Sequence, residues 1–281
     1  MMEWWQSIIL GIVEGITEFL PISSTGHLTV AEKLMGMPIS DPTVTAYTAM
    51  IQVGAMIAAI VYFWSDIVRI VKAWFGGLRS AEGKADPDYR LGWAVIVGFA
   101  VTAVIALALK DLIEGPLRSL WFVVGGLLVW SAAMFLGDRV GKQERGEHSI
   151  TIKDGAILGL IQSFALVPGV SRSGATITGA LFLGIDGVTA TRMSFFLGIP
   201  TLVAAGGLQA VQEASAIGAP GGVGWLATII GTAISFVVAY ASIAWLLKFV
   251  QSNNFTAFVI YRVLLGLLIA GLLLANVIAP V

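Results

Sequence analysis

The chain has 281 residues, 57% of them hydrophobic and 12% charged, with a net charge of -1 and a mean hydropathy of +0.90. That balance excludes an ordinary soluble domain and predicts an all-α polytopic membrane protein. The absence of cysteine excludes disulfides and thiolate metal sites. The net charge carries no information about partners, because in a membrane protein the placement of Lys and Arg matters more than their sum. No nucleic-acid partner is expected.

Residues 4–20 predict an apolar helix carrying Glu14 and Glu18; Pro21 breaks it, and a short second helix is expected over 24–36. At about 1.5 Å per residue, both arms fall short of a hydrocarbon layer roughly 30 Å thick. The pair therefore reads as a re-entrant hairpin whose polar tip lines a cavity, since irregular backbone at membrane depth needs protein or water around it. Met1–Gln6 carries Glu3 and no basic residue, so the first helix is expected to be retained rather than cleaved as a signal. A full span follows over 43–63, with Gln52 its most polar internal residue, and then a charged loop over 64–90 with Arg69, Lys72, Arg79, Lys84 and Arg90. Spans over 92–109 and 118–137 are separated by a turn around Glu114-Gly115-Pro116, and 138–154 is again charged, with Arg139, Lys142, Arg145 and Lys153. The second half predicts a hairpin over 155–187 with its tip at Pro168–Gly174, then spans over 190–210, 223–247 and 255–277.

The order of elements repeats, and so does a motif. A shift of 148 residues places Ser23-Ser24-Thr25-Gly26 on Ser171-Arg172-Ser173-Gly174 and Glu14 on Gln162, while Pro21 and Pro168 miss each other by one position. Three spans per half is an odd number, so the halves, about 1–140 and 150–281 of a single membrane domain, must have opposite orientations. The expected architecture is thus six transmembrane helices plus two re-entrant hairpins in an inverted-topology repeat. The segments 64–90, 138–154 and 248–254 would share one side and hold most of the basic residues, leaving chiefly Lys33, Lys110 and Arg118 on the other. The positive-inside rule makes the first group cytoplasmic, so the first hairpin opens outward.

Glu14 and Glu18 are one helical turn apart and project from one face, where lipid would not tolerate them alone. A divalent cation such as Mg²⁺, an ion pair with Arg172, or protonation would each resolve the cost. Ser24 and His27, three residues apart, offer a nucleophile and its base, although Ser before a helix is also a common cap. Ser24 is assigned to the reaction, and Ser23 or Thr25 to structure and substrate binding. Ser171-Arg172-Ser173-Gly174 offers a guanidinium, two hydroxyls and a turn into a helix N-terminus, an oxyanion cradle, with loop-carbonyl binding by the arginine as the alternative. Thr176 adds a hydroxyl one turn on, or is filler. Arg192 either snorkels or lines the site; Arg262, beside Tyr261 in the last span, is expected to pair structurally, and His148 to be solvated. The nine tryptophans are read as interfacial anchors. Two carboxylates, a hydroxyl, an imidazole and an arginine cradle at a membrane-embedded tip suit phosphoryl transfer on a lipid-tailed phosphate.

The segments E-G-I-T-E-F-L-P-I-S-S-T-G-H, from Glu14, and P-G-V-S-R-S-G-A-T, from Pro168, resemble the two signature motifs of the bacterial undecaprenyl-diphosphate (undecaprenyl pyrophosphate) phosphatase family of the bacitracin-resistance type. The resemblance extends over essentially the whole chain. It implies a hydrolase of the bacterial cytoplasmic membrane that converts undecaprenyl diphosphate to undecaprenyl phosphate for cell-wall (peptidoglycan) synthesis, with its site toward the periplasm. It also implies dependence on a divalent cation, Mg²⁺ or Ca²⁺, on Glu14 and Glu18. Ser24 would be the nucleophile, His27 the acid/base, and Arg172, Ser171 and Ser173 the diphosphate binders. Its partners would be the lipid substrate and the membrane, with a homodimer left open. The rival reading is a polyprenyl-phosphate flippase, since broken helices in inverted repeats are also a transporter architecture.

Overall fold

The computed structural model describes residues 2–37, 41–109, 112, 119–219 and 222–280. The described residues contain eleven longer α-helices, with short 3-10 turns and one isolated bridge between Arg145 and Ile185. In chain order the helices are α1 (Trp4–Thr17), α2 (Ser24–Leu34), α3 (Pro42–Tyr62), α4 (Trp64–Arg79), α5 (Pro87–Ala108), α6 (Leu120–Val140), α7 (Ile152–Gln162), α8 (Arg172–Phe182), α9 (Gly187–Ile217), α10 (Trp225–Phe249) and α11 (Thr256–Leu274). Six of them, α3, α5, α6, α9, α10 and α11, are long and apolar enough to cross a membrane.

Caps set many of the boundaries. The Asp41 carboxylate accepts from the Thr43 amide ahead of Pro42, the Asp86 carboxylate from the Asp88 amide ahead of Pro87, and Ser119 and Asp186 cap α6 and α9. The Asp86 cap starts α5 at residue 87 rather than 92. Helix α9 runs from 187 to 217, past both ends of the expected span and through Pro200, which neighbouring helices make tolerable in such a setting. Helix α1 ends at Thr17, short of the expected 20. The turn expected around Glu114-Gly115-Pro116, with Lys110 and Arg118, lies outside the described residues.

The charged loop expected over 64–90 is corrected to the helix α4, a 3-10 turn at Gly83–Ala85 and the start of α5. Its charges had obscured a helical spacing of apolar residues at Ile67, Ile70, Val71, Trp74 and Leu78. Ile70 is buried against the core and Trp74 lies over Gly92 of α5. Arg69 on this helix donates to Asp88, to Glu147 at 2.7 Å and to Asp66 at 3.1 Å. Burial opposes its charge, but those three hydrogen bonds outweigh the penalty and hold its pKa above the ordinary value.

Helices α1, α2, α7 and α8, of 14, 11, 11 and 11 residues, are too short to span. Helix α1 packs along α10 and α7 along α5, in both cases through glycine. A Cβ on Gly11 would lie 2.6 Å from the Gly231 carbonyl oxygen, and one on Gly159 would collide with the backbone of Gly98. Such close approach of backbones is the usual way apolar helices associate where lipid removes the hydrophobic incentive. The turn that follows α1 is buried in the main apolar cluster, with Phe19, Leu20 and Ile22 in it alongside Ile177, Phe195 and Ile243.

Candidate active site

Pro21 and the residues around it cannot continue α1, so the chain turns, and Ser23 takes a positive φ of 76° before α2 begins. Ser171 does the same before α8, at 72°. Each serine hydroxyl then accepts from the amide three residues on, Ser23 from Gly26 at 3.4 Å and Ser171 from Gly174 at 3.2 Å. These caps aim two helix N-termini, and the residues just inside them, Ser24 and Arg172, at one place.

Glu18 joins those two residues. Its Oε2 accepts from the Ser24 hydroxyl at 2.7 Å, and its Oε1 from the Arg172 guanidinium at 2.8 Å. All three side chains line a cavity of about 200 Å³, with Thr25 and Ser171 also on its wall. Arg172 donates in addition to the Gly198 carbonyl of α9 at 2.8 Å. It lies so close to that helix that a Cβ at residue 198 would sit 3.2 Å from the guanidinium carbon. One turn back on α1, Glu14 is 1% exposed, and neither of its carboxylate oxygens has a hydrogen-bond partner. A buried carboxylate without a donor is costly. Glu14 and Glu18 together have the oxygen chemistry that a hard divalent cation takes.

Other expected residues stand elsewhere. His27 does not meet Ser24. Its Nδ1 is 2.7 Å from the Ser23 carbonyl and its Nε2 is 2.6 Å from the Tyr261 hydroxyl, with the two rings parallel at 5.6 Å. A carbonyl only accepts, so Nδ1 carries the proton and Nε2 of the neutral ring accepts from Tyr261. His27 faces a separate apolar cavity with Trp245 and Phe258. The structure does not bring the Ser24 and His27 side chains together: the Ser24 hydroxyl donates to the Glu18 carboxylate, and the imidazole holds the carbonyl that precedes Ser24. Ser173 donates to the Leu20 carbonyl at 3.1 Å and so ties one tip to the other. Gly174 accepts from the Trp130 indole at 3.2 Å, while Thr176 is fully buried between Gln162 and the Arg172 carbonyl, off the cavity wall. Arg192 does not line the site; it pairs with Glu147 at 2.5 Å and Asp66 at 2.8 Å. His148 is exposed, as expected.

Arg262 is structural, but its partners are carbonyls rather than a carboxylate. Fully buried, it donates to Pro21 in the first tip and Gly169 in the second, both at 3.0 Å, to Gly126 at 3.2 Å and to the Ser131 hydroxyl at 3.1 Å. It clamps the two tips together. Sequence reasoning missed this clamp, the glycine bed at Gly198 and the amide Gln209, which together with Gln52 lines the same cavity. A glycine and a glutamine inside long apolar helices carry no local signal of what they face.

A family profile described as "Bacitracin resistance protein BacA" matches residues 7–268. The chain is 57% identical over 282 aligned residues to the undecaprenyl-diphosphatase of Cutibacterium acnes, covering 99% of each chain. It is 49% identical to undecaprenyl-diphosphatase 3 of Frankia casuarinae, again over 99% of each, and 47% identical to the undecaprenyl-diphosphatase of Acidothermus cellulolyticus over 100% of each.

Proposed function

Because the chain belongs to the bacitracin resistance protein BacA family, we propose that it is an integral-membrane lipid diphosphatase, cleaving undecaprenyl diphosphate to undecaprenyl phosphate and inorganic phosphate. Full-length likeness to proteins named for that activity favours cleavage over transport of the lipid. The observation that carries the mechanism is the bridge by Glu18 from the Ser24 hydroxyl at 2.7 Å to the Arg172 guanidinium at 2.8 Å.

Arg172, Ser171 and Thr25 bind the diphosphate, the guanidinium as a planar fork and the helix termini by their amides. Glu18 accepts the Ser24 proton as the hydroxyl oxygen attacks the terminal phosphorus. The anhydride bond to that phosphorus breaks, and Glu18 passes the proton to the departing lipid phosphate. Water then attacks the phosphoserine; Glu18 takes its proton and returns one to the Ser24 oxygen, so the sum is one water consumed and one phosphate released. His27 is a positioning residue that holds the Ser23 carbonyl. The unpartnered oxygens of Glu14, with Glu18, fit Mg²⁺ or Ca²⁺, which would supply charge neutralisation and polarisation at the diphosphate.

The same reading takes the molecule as two inverted repeats with re-entrant hairpins. Ser23 and Ser171, equivalent under the 148-residue shift, share an uncommon backbone conformation and the same cap. Gly11 and Gly159, equivalent under the same shift, both seat a short helix against a long one. The weight of basic residues in 64–90 and 138–154 supports a cytoplasmic position for those segments in a bacterial inner membrane, with the site open to the periplasmic side.

The test is phosphate release from a C15 or C55 prenyl diphosphate by detergent-purified protein carrying Ser24→Ala. A loss of about 10³-fold or more is expected for removal of a nucleophile. Turnover close to wild type would rule out the covalent route and leave direct attack by water.

A further inference from the structure

Beyond the cavity that holds Arg172 lies a second one of about 340 Å³, and the two share Ser24, Thr25, Gln52, Pro168 and Gln209. Two carboxylates face the second cavity, Glu14 from α1 and Glu32 from α2. Glu32 is absent from every motif discussed so far and has no part in the chemistry above. It is 6% exposed, and its one side-chain hydrogen bond among the described residues is from the Thr48 hydroxyl to Oε1, at 3.1 Å. That hydroxyl has a single proton and a nearer acceptor, the Val44 carbonyl at 2.9 Å. The adjacent cation on α2 gives no relief: Lys33 turns away and donates to the Ala279 carbonyl at 2.6 Å. No Lys or Arg stands among the described residues of the cavity wall.

A buried carboxylate served by half of one hydroxyl proton is uncompensated. Glu14, buried on the same wall with both oxygens unpartnered, makes a second uncompensated group. Around Glu32 stand neutral oxygens. The Thr45 and Thr48 hydroxyls donate toward the helix carbonyls of Asp41 and Val44, so their lone pairs remain free to face a ligand. A carboxylate with hydroxyl oxygens and room for water is what a hard divalent cation takes, and it repels an anion. Among the described residues no three acidic or histidine side chains cluster closely enough to share one ion, which makes Glu32 a position of its own rather than a third ligand of the Glu14–Glu18 pair.

We propose that Glu32, with the hydroxyls of Thr45 and Thr48, forms a second, outer divalent-cation site in the cavity adjoining Ser24. An ion there balances Glu32, as the inner ion would balance Glu14, so that a diphosphate can approach Ser24 without meeting a wall of like charge. This rests on the diphosphatase reading for its purpose, but the site itself can be counted without turnover.

The experiment counts Mn²⁺ bound to detergent-purified full-length protein by the loss of the free-ion electron paramagnetic resonance signal. Wild type is compared with Glu32→Gln, Thr48→Val and the double variant Glu14→Gln/Glu18→Gln, each checked for a monodisperse, cooperatively melting sample. The wild type is expected to bind two ions, Glu32→Gln one, and Thr48→Val two with the weaker affinity lowered several-fold. The double carboxylate variant should keep one ion, and adding Glu32→Gln to it should remove that last one. In the hydrolysis assay, Glu32→Gln should raise the Mg²⁺ concentration for half-maximal rate about tenfold. A Glu32→Gln titration that superimposes on the wild type overturns the outer site, and leaves the Glu14–Glu18 reading intact if the double variant loses an ion. A double variant that binds as the wild type does, while Glu32→Gln loses an ion, overturns the inner reading instead.

Discussion

Gly198→Ala is the smallest change that should disturb the site without touching any reacting group. The added Cβ would stand 3.2 Å from both Cζ and Nη1 of Arg172, nearer than ordinary van der Waals contact, while the guanidinium is held by hydrogen bonds of 2.8 Å to Gly198 and to Glu18. The guanidinium must therefore move by about 0.3 to 0.5 Å, and a misplacement of about 1 Å in such a site costs on the order of 100-fold. Scaled to the smaller shift, kcat/KM for a prenyl diphosphate should fall about 4- to 10-fold. Ala is the better residue for a helix interior by about 1 kcal/mol, so the melting temperature in detergent should hold or rise. Loss of rate without loss of stability is the signature. A Gly198→Ala enzyme with wild-type kcat/KM would refute the claim that the bed on α9 sets the position of Arg172.

Three further outcomes follow from the packing and the hydrogen bonds. Arg262→Met leaves the carbonyls of Pro21 and Gly169 without their donor; at about 1 kcal/mol or more for each buried orphan, stability should drop by about 2 kcal/mol or more, read as a lower melting temperature together with lost turnover. Gly11→Val drives a side chain into the Gly231 carbonyl, and the overpacking should cost about 1–3 kcal/mol or more in the same melt and separate α1 from α10. His27→Asn removes the ring that fixes the Ser23 carbonyl but not the group that takes the Ser24 proton, so kcat should fall only about tenfold with an unchanged pH profile, whereas loss of a general base costs about 10²–10⁴ and would show in that profile.

The spans and the two tips were legible because lipid imposes a long apolar run and makes every ionisable residue inside it conspicuous. Glu14, Glu18 and Arg172 stood out for that reason, and the structure brings Glu18 and Arg172 together across 154 positions of chain. The local geometry of the tip was not legible. Three-residue spacing puts Ser24 and His27 on one face of a regular helix, but Ser24 is the first residue of α2, after a left-handed turn at Ser23, and its side chain reaches back to a stronger acceptor in Glu18. What sequence lacked altogether were the partners brought from far away: Gly198 under Arg172, Tyr261 against His27 and Arg262 between the tips. The helix α4 was hidden for a different reason. Its charged residues drew attention from the apolar spacing beneath them, although that spacing is what seats it on α5.

The most direct test of the central claim, that one carboxylate joins the nucleophile to the arginine, is phosphate release by Glu18→Gln, measured on C15 or C55 prenyl diphosphate with Mg²⁺ and with EDTA beside the wild type. The amide keeps the shape but can neither accept the Ser24 proton nor balance Arg172, so the account predicts metal-dependent release by the wild type and a loss of about 10³-fold or more in the variant. Release by Glu18→Gln within threefold of the wild type would contradict it.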